Sequence, residues 1–276
     1  MIGVVSALVL LASGGLEAAS FAHSGWDRVL KQYVNQIGEV DYAALKANRA
    51  GLDRYVMLLG ESSPDNHPEL FPSRAHQLAY WLNAYNAFVI RGVVDNYPTR
   101  SVRDLGALYG FFRRKDFTSG GVKMSLLHLE NEILRKKFAD PRIHFAIVCA
   151  SMSCPFLPRD AFAGENLEAQ LDRAARLFIN QRRNLFINPS ANEVTLSGLF
   201  DIQDYKRDFE APSGPGGPSQ TLLDYIRRYA SQENRRALEK LKHPKIKYFD
   251  YDWSINEPGS RAKAKSRLER ELASST

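Results

Sequence analysis

Cysteine is scarce in this chain. Its 276 residues hold only Cys149 and Cys154, and a bridge closing so small a ring is worth roughly 2 kcal/mol in the chain-entropy model. Such a bridge would shape a turn or act as a redox couple more than it would hold a fold together. Long apolar runs are missing after the N-terminal segment. No later stretch has the ~20 apolar residues that a membrane span needs, so no integral span is expected in the mature chain. Familiar catalytic signatures are absent too: there is no phosphate-cradling Gly-Lys-Ser loop, no G-x-S-x-G elbow and no H-E-x-x-H. Kinase, serine-hydrolase and zincin readings therefore lose their support. No basic stripe interleaves with aromatics either. The formal charge is +6, but Arg261, Lys263, Lys265, Arg267 and Arg270 against Glu269 and Glu271 supply half of it from the C-terminal tail. The mild remainder does not point to nucleic acid as a partner.

What is present is ordinary globular material, 44% hydrophobic and 25% charged, with length enough for a sizeable core. Residues Ile2 to Gly15 are apolar apart from Gly and Ser and precede Ala18-Ala19-Ser20. That is the pattern of a signal peptide cleaved near residue 20, although no Lys or Arg precedes the apolar run. Export to a periplasm or the medium is the expectation. The organisation expected is a signal peptide at 1–20, a single globular domain at 21–258, and a basic tail at 259–276 forming a solvated helix or a disordered end. Ala211 to Ser219 carries three Pro and three Gly in nine residues, which makes it a surface loop within that domain.

Helical spacing runs from Ser24 to Val40 and again from Asp41 to Leu59. The strongest helix signal is Ser73 to Asn96, apolar on both sides and ended by Asn96-Tyr97-Pro98, so a central buried helix is predicted. A short strand at Val122 to Ser125 leads into a helix capped by Ser125 and running to about Phe138. Ile143 to Val148 reads as a buried strand, Asn166 caps an amphipathic helix, and Leu185 to Leu199 reads as a hairpin. Leu222 to Leu241 is helical, and Ile246 to Trp253 alternates like a closing strand. The expected fold class is α+β: a helix-rich domain around a small, mainly antiparallel sheet, with a papain- or transglutaminase-like arrangement as one form it could take.

Three features could carry chemistry. Cys149 and Cys154 flank a polar turn directly after the apolar run that begins with Ile143 and His144. A nucleophilic thiol needs a positive neighbour, a helix N-terminus or an imidazole to lower its pKa, and His144 is the nearest base in sequence. In a strand, however, His144 and Cys149 point to opposite faces, so pairing requires an early turn, or another histidine such as His76 or His128. Glu130 is the second feature. Its helical neighbours are Leu126, Leu127, Ile133 and Leu134, so its carboxylate must be paired, hydrogen-bonded or protonated, whether to anchor backbone or Arg142 or to orient a histidine. Third, Asn83 and Asn86 share a face of the buried helix. They clamp a loop or donate to an oxyanion or ligand. Glu130, His144, Cys149 and Cys154 are all potential metal ligands, but their spacing fits no zinc pattern, so neither metal nor cofactor is expected.

Five ordered motifs resemble the domain-of-unknown-function family 547: YWLNAYNAF from Tyr80, GGVKMSLLHLENEIL from Gly120, HFAIVCASMSCP from His144, VTLSGLFDIQDYKRDF from Val194 and YFDYDWSIN from Tyr248. The resemblance spans roughly Asp41 to Asn256 and implies that Asn83, Asn86, Glu130, His144 and Cys149 occupy characteristic positions. The chain departs from the family pattern at Asn131, where a histidine usually follows the glutamate. Some members have Ser at the place of Cys154, which makes Cys149 the better thiol candidate.

The leading expectation is an exported, thiol-dependent hydrolase or acyltransferase acting on an unidentified small molecule or peptide. Cys149 would be the nucleophile, His144 the base, Glu130 the group orienting the imidazole, and Asn83 or Asn86 an oxyanion donor. The alternatives are a non-catalytic envelope module binding a partner through Tyr109, Phe111 and Phe112, and a redox element cycling Cys149 and Cys154 between dithiol and disulfide. A bond between Cys149 and Cys154 would defeat the hydrolase or acyltransferase expectation in this form.

Overall fold

A computed structural model describes residues 20–106, 110–210 and 220–263. The expected signal peptide, Tyr109, the Pro/Gly loop at 211–219 and the tail beyond Lys263 lie outside the described residues.

Trp26, Val29, Leu30 and Tyr33 form the buried face of α1 (Ser24–Tyr33). The helix stops sooner than its spacing predicts, because Val34 pairs with Val40 across a tight turn. Gly38 makes that turn at φ 70, where a Cβ would lie 2.7 Å from the Phe156 backbone. The following helical stretch divides into α2 (Tyr42–Ala47) and α3 (Ala50–Glu61). Ser73 caps α4 (Arg74–Asn96) by accepting from the His76 N–H. As predicted, α4 is buried nearly all round from Leu78 to Val94, and α3 and α8 (Leu167–Ile179) pack on it.

After α5 (Gly110–Arg114), strands β1 (Asp116–Ser119) and β2 (Val122–Ser125) form an antiparallel pair. Ser125 then caps α6 (Leu126–His128), which continues as a π-wound helix over Leu129–Phe138. Wide π turns recur at functional sites, and this one carries Glu130. Strands β3 (Leu185–Asn188) and β4 (Glu193–Leu196) make the predicted hairpin. Strand β5 (Lys245–Tyr248) closes the sheet, but it runs parallel to β4. The remaining helices are α9 (Gln203–Glu210), α10 (Leu222–Tyr229) and α11 (Gln232–Glu239). The last two interrupt what reads as one helix, because Ala230 is extended and Ser231 caps α11.

The main correction concerns residues 143–148. They do not form a strand: Ile143–Ala146 make one turn of helix, α7, and the chain becomes extended at Ile147. A short apolar run has no periodicity to separate strand from buried helix. The opposed-face obstacle between His144 and Cys149 therefore falls away.

The architecture is α+β and helix-rich, with a two-stranded and a three-stranded sheet. Its apolar interior forms two clusters, one surrounding α4 and the other built on Phe145, Phe178, Phe200, Phe209 and Tyr225. Among the described residues no helix is long and apolar enough to cross a membrane.

Candidate functional site

Where the two clusters meet, a pocket of about 320 Å³ opens. Its wall includes Glu130, His144, Cys149 and Cys154 together with Tyr85, Tyr205, Tyr251 and Arg135. Apolar side chains complete the wall, among them Phe112, Leu127, Ile147, Leu199 and Ile202.

The two asparagines position this wall from behind. Asn86 donates to the Ala146 carbonyl at 2.9 Å and accepts the Val148 N–H at 2.9 Å, fixing the change from helix to extended chain just before Cys149. Asn83 does the same for Phe162, at 2.8 and 3.0 Å. Both amides thus clamp backbone, and only Asn86 clamps the segment entering the cysteine turn.

Glu130 is 6% exposed. Its carboxylate accepts from the hydroxyls of Tyr85, at 3.0 Å, and Tyr205. Burial, reinforced by the Glu130 charge, pushes both phenols well above their usual value. They therefore remain protonated donors at ordinary pH. The alternative anchor, Arg142, instead pairs with Asp140, Glu168 and Asp172.

The group that orients His144 is Asp208. The imidazole is 2% exposed, its Nε2 lies 2.7 Å from Asp208 Oδ2, and Tyr205 stacks on its face at 3.9 Å between ring centroids. Arg135 holds the same carboxylate through Nε at 2.6 Å and Nη2 at 3.1 Å. Burial acts to raise the Asp208 carboxyl, but the bonds from His144 and Arg135 outweigh it and hold the group below its usual range. A neutral imidazole bonded this way carries its proton on Nε2. Its Nδ1 is buried with no hydrogen-bond partner among the described residues. Asn131 accepts from Arg135 at 2.7 Å, so it supports the Asp208–His144 pair from one residue further out. His76 bonds Ser73 and Glu165, and His128 is exposed. Neither lines the pocket.

Cys149 and Cys154 are joined by a disulfide. Their exposure is unequal, since Cys154 is 3% exposed whereas Cys149 is only partly buried. The Tyr251 hydroxyl lies 3.2 Å from Cys149 Sγ and 3.3 Å from Cys154 Sγ, and Ser151 Oγ lies 3.0 Å from Cys149 Sγ. The chain reverses at Ala150, which adopts φ 61, a left-handed conformation that costs an L-residue energy. Bonds from Asn256 N to Ala150 O, Met152 N to Ser254 O and Ser153 N to Asp252 O hold the turn in place. The N–H groups of Met152 and Ser153 are thereby occupied. Among the described residues, no group of three or more His, Cys, Asp or Glu is placed to hold a metal ion.

Of the expected site residues, Glu130, His144 and Cys149 line one pocket together with Cys154, whereas Asn83 and Asn86 do not line it; Asp208, Tyr205 and Tyr251 were missed. All three lie within the motifs VTLSGLFDIQDYKRDF and YFDYDWSIN. Their nearness to the cysteines is a tertiary fact, since Tyr251 stands 102 positions from Cys149. The aromatic surface expected around Phe111 and Phe112 is not formed as such. Phe111 is 1% exposed, and Phe112 is partly buried and lines the pocket.

Residues 70–179 match the family model described as "Protein of unknown function, DUF547". The matched segment contains Asn83, Asn86, Glu130, His144 and both cysteines, and it stops before Asp208 and Tyr251. No curated protein and no solved structure matches the chain.

Proposed function

We propose that the chain is an exported thiol–disulfide exchange protein whose working group is the Cys149–Cys154 couple. The observation that carries this reading is the disulfide on a pocket wall, with Cys149 partly exposed and Cys154 buried. An incoming thiolate attacks Cys149 Sγ in line with the S–S bond. That bond breaks, a mixed disulfide forms on Cys149, and Cys154 leaves as thiolate beside the Tyr251 hydroxyl. A second thiol of the substrate then attacks the substrate sulfur of the mixed disulfide, releasing Cys149 thiolate and an oxidised substrate; the reverse sequence reduces a disulfide. A pocket of about 320 Å³ with a largely apolar lining suits a small molecule or one side chain of a peptide. Export is part of the proposal and rests on the Ile2–Gly15 segment, because a stable disulfide requires an oxidising compartment.

The test is stoichiometric oxidation of a dithiol peptide by the oxidised full chain under native conditions. Consumption of two peptide thiols per protein, with two protein thiols appearing, supports the reading. A disulfide that no external thiol reduces in the folded protein sinks it.

One observation favours a second reading, acyl transfer or hydrolysis by reduced Cys149. The Asp208-held His144 has a buried Nδ1 without a partner, the arrangement expected of a general base. In this reading Cys149 is the nucleophile, Asp208 rather than Glu130 orients the imidazole, Asn86 positions the turn, and the disulfide is a resting state. A p-nitrophenyl ester separates the two readings, since turnover by reduced protein alone, abolished in Cys149→Ser and His144→Gln, requires the second.

A further inference from the structure

Two arginines converge on the carbonyls of the disulfide turn. Arg183 donates from Nη1 to Met152 O at 2.7 Å and from Nη2 to Cys154 O at 3.2 Å. Arg261 donates from Nη1 to the same Met152 carbonyl at 3.1 Å. Arg261 is 8% exposed, and its Nε and Nη2 are buried without hydrogen-bond partners. Both guanidinium groups also approach the Phe156 ring, at 5.5 and 4.4 Å from its centroid.

Two like charges in an apolar interior are costly unless something compensates them. Glu39 is the carboxylate that acts on Arg261, but its oxygens accept from the backbone N–H groups of Arg261 and Gly259 and from Asn35. Burial lowers the proton affinity of both arginines, Arg183 to about 10 and Arg261, further repelled by Arg183, to about 9. The pair is therefore under-compensated while the cysteines are bridged, because a disulfide carries no charge. Reduction followed by loss of one proton would supply the missing negative charge, on the turn whose carbonyls the arginines hold.

Resting on the exchange reading above, we propose that Arg183 and Arg261 form a cationic floor under the Cys149–Cys154 turn that stabilises its reduced, ionised state and so makes the disulfide an oxidant. A low-pKa thiolate arises beside fixed positive charge, and a couple whose reduced form is stabilised has a raised potential. These arginines are positioning residues: they touch the turn and not the reacting sulfurs. Other ionisable groups face the sulfurs from the remaining sides. Tyr251 contacts both sulfurs, Glu130 is held by Tyr85 and Tyr205, and His144, Arg135, Arg113 and Asp204 line the same pocket. Asp252, whose backbone bonds Ser153, flanks the turn. Glu130, Asp204 and Asp252 oppose the effect, so the arginines must outweigh them.

The experiment is a pH profile of thiol alkylation on the reduced full chain, together with the equilibrium constant against glutathione. Both are compared among wild type, Arg183→Gln, Arg183→Lys and Arg261→Gln. In the wild type the more acidic thiol should ionise at least one unit below the ordinary value of about 8.5. Each glutamine variant should raise that value by about one unit and shift the equilibrium up to about tenfold toward the disulfide, about 30 mV for a two-electron couple. Arg183→Lys should restore much of both, because it keeps the charge while losing the fork of carbonyl bonds. An ordinary thiol pKa in the wild type overturns the proposal without any variant having to fold. Equal effects of Lys and Gln at position 183 overturn it as well, since they would reduce the arginine to a structural prop. Rapid exchange with external thiols at an ordinary pKa would remove the cationic floor and leave the exchange reading standing. A disulfide inert to dithiothreitol in the folded protein would remove both.

Discussion

Replacing Asn86 with alanine removes one amide and orphans two backbone groups. The Val148 N–H and the Ala146 carbonyl have Asn86 as their partner at 2.9 Å each, and Asn86, Val148 and Ala146 are each 1% exposed. A buried polar group left without a partner costs about 1–3 kcal/mol. Together the two make a loss of about 2–6 kcal/mol, a large part of the 5–15 kcal/mol typical of a domain. Urea unfolding followed by circular dichroism measures it, with an unchanged m-value showing that the unfolded state is not responsible. Asn83→Ala orphans the equivalent groups of Phe162 and should lose a similar amount. The two variants should part company in the rate at which dithiothreitol reduces the disulfide. Only Asn86 braces the segment that enters Cys149, so Asn86→Ala should be reduced several-fold faster while Asn83→Ala stays near wild type. A stability loss under about 1 kcal/mol for Asn86→Ala, a value ordinary for surface positions, would refute the clamp argument.

Other consequences follow from particular groups. Burial, partly offset by Glu165 and reinforced by His76, holds His23 neutral down to about pH 4. Its folded value lies below its unfolded one of about 6.5. Stability should therefore fall as pH drops from about 6.5 towards 4, by up to about 3 kcal/mol, and His23→Phe should flatten that part of a pH series of melts. Asp208 has a depressed folded value for a different reason, its bonds to His144 and Arg135 prevailing over burial. Its contribution is complete above about pH 4 and is lost as pH falls through the folded value, so the gap between wild type and Asp208→Asn, about 1.5–3 kcal/mol at pH 7, should close in acid. Ala150→Gly should change stability by less than about 1 kcal/mol. Relief of the left-handed backbone, about 1–2 kcal/mol, offsets a lost methyl of about 0.8 kcal/mol and added chain entropy of about 0.5–1 kcal/mol. A melt showing a loss above 2 kcal/mol would contradict this.

Much of the site was legible because burial of polar groups inside apolar patterns leaves few outcomes. Asn83 and Asn86 on a helix apolar on both sides had to bond something, and they clamp backbone. Glu130 among leucines had to be partnered, and two tyrosines do it. The identity of those partners was not legible, because Tyr205 and Tyr251 reach the pocket, and Asp208 reaches His144, from segments distant in sequence. Ile143 to Val148 was misread because six residues are too few to show a helical period, and two asparagine bonds decide where its single turn ends. The parallel setting of β5 depends on how the chain returns after α11, which the alternation of Ile246 to Trp253 does not encode.

Two single-cysteine variants, Cys154→Ser and Cys149→Ser, test the redox reading most directly. Each is incubated with oxidised glutathione under native conditions, and the adduct is measured by intact mass. Rapid formation of one glutathione adduct on Cys149 in Cys154→Ser, with little on Cys154 in Cys149→Ser, is the result expected of an accessible attacking sulfur and a buried resolving one. Equal labelling of the two, or none on Cys149, would contradict a thiol–disulfide exchange site at this pocket.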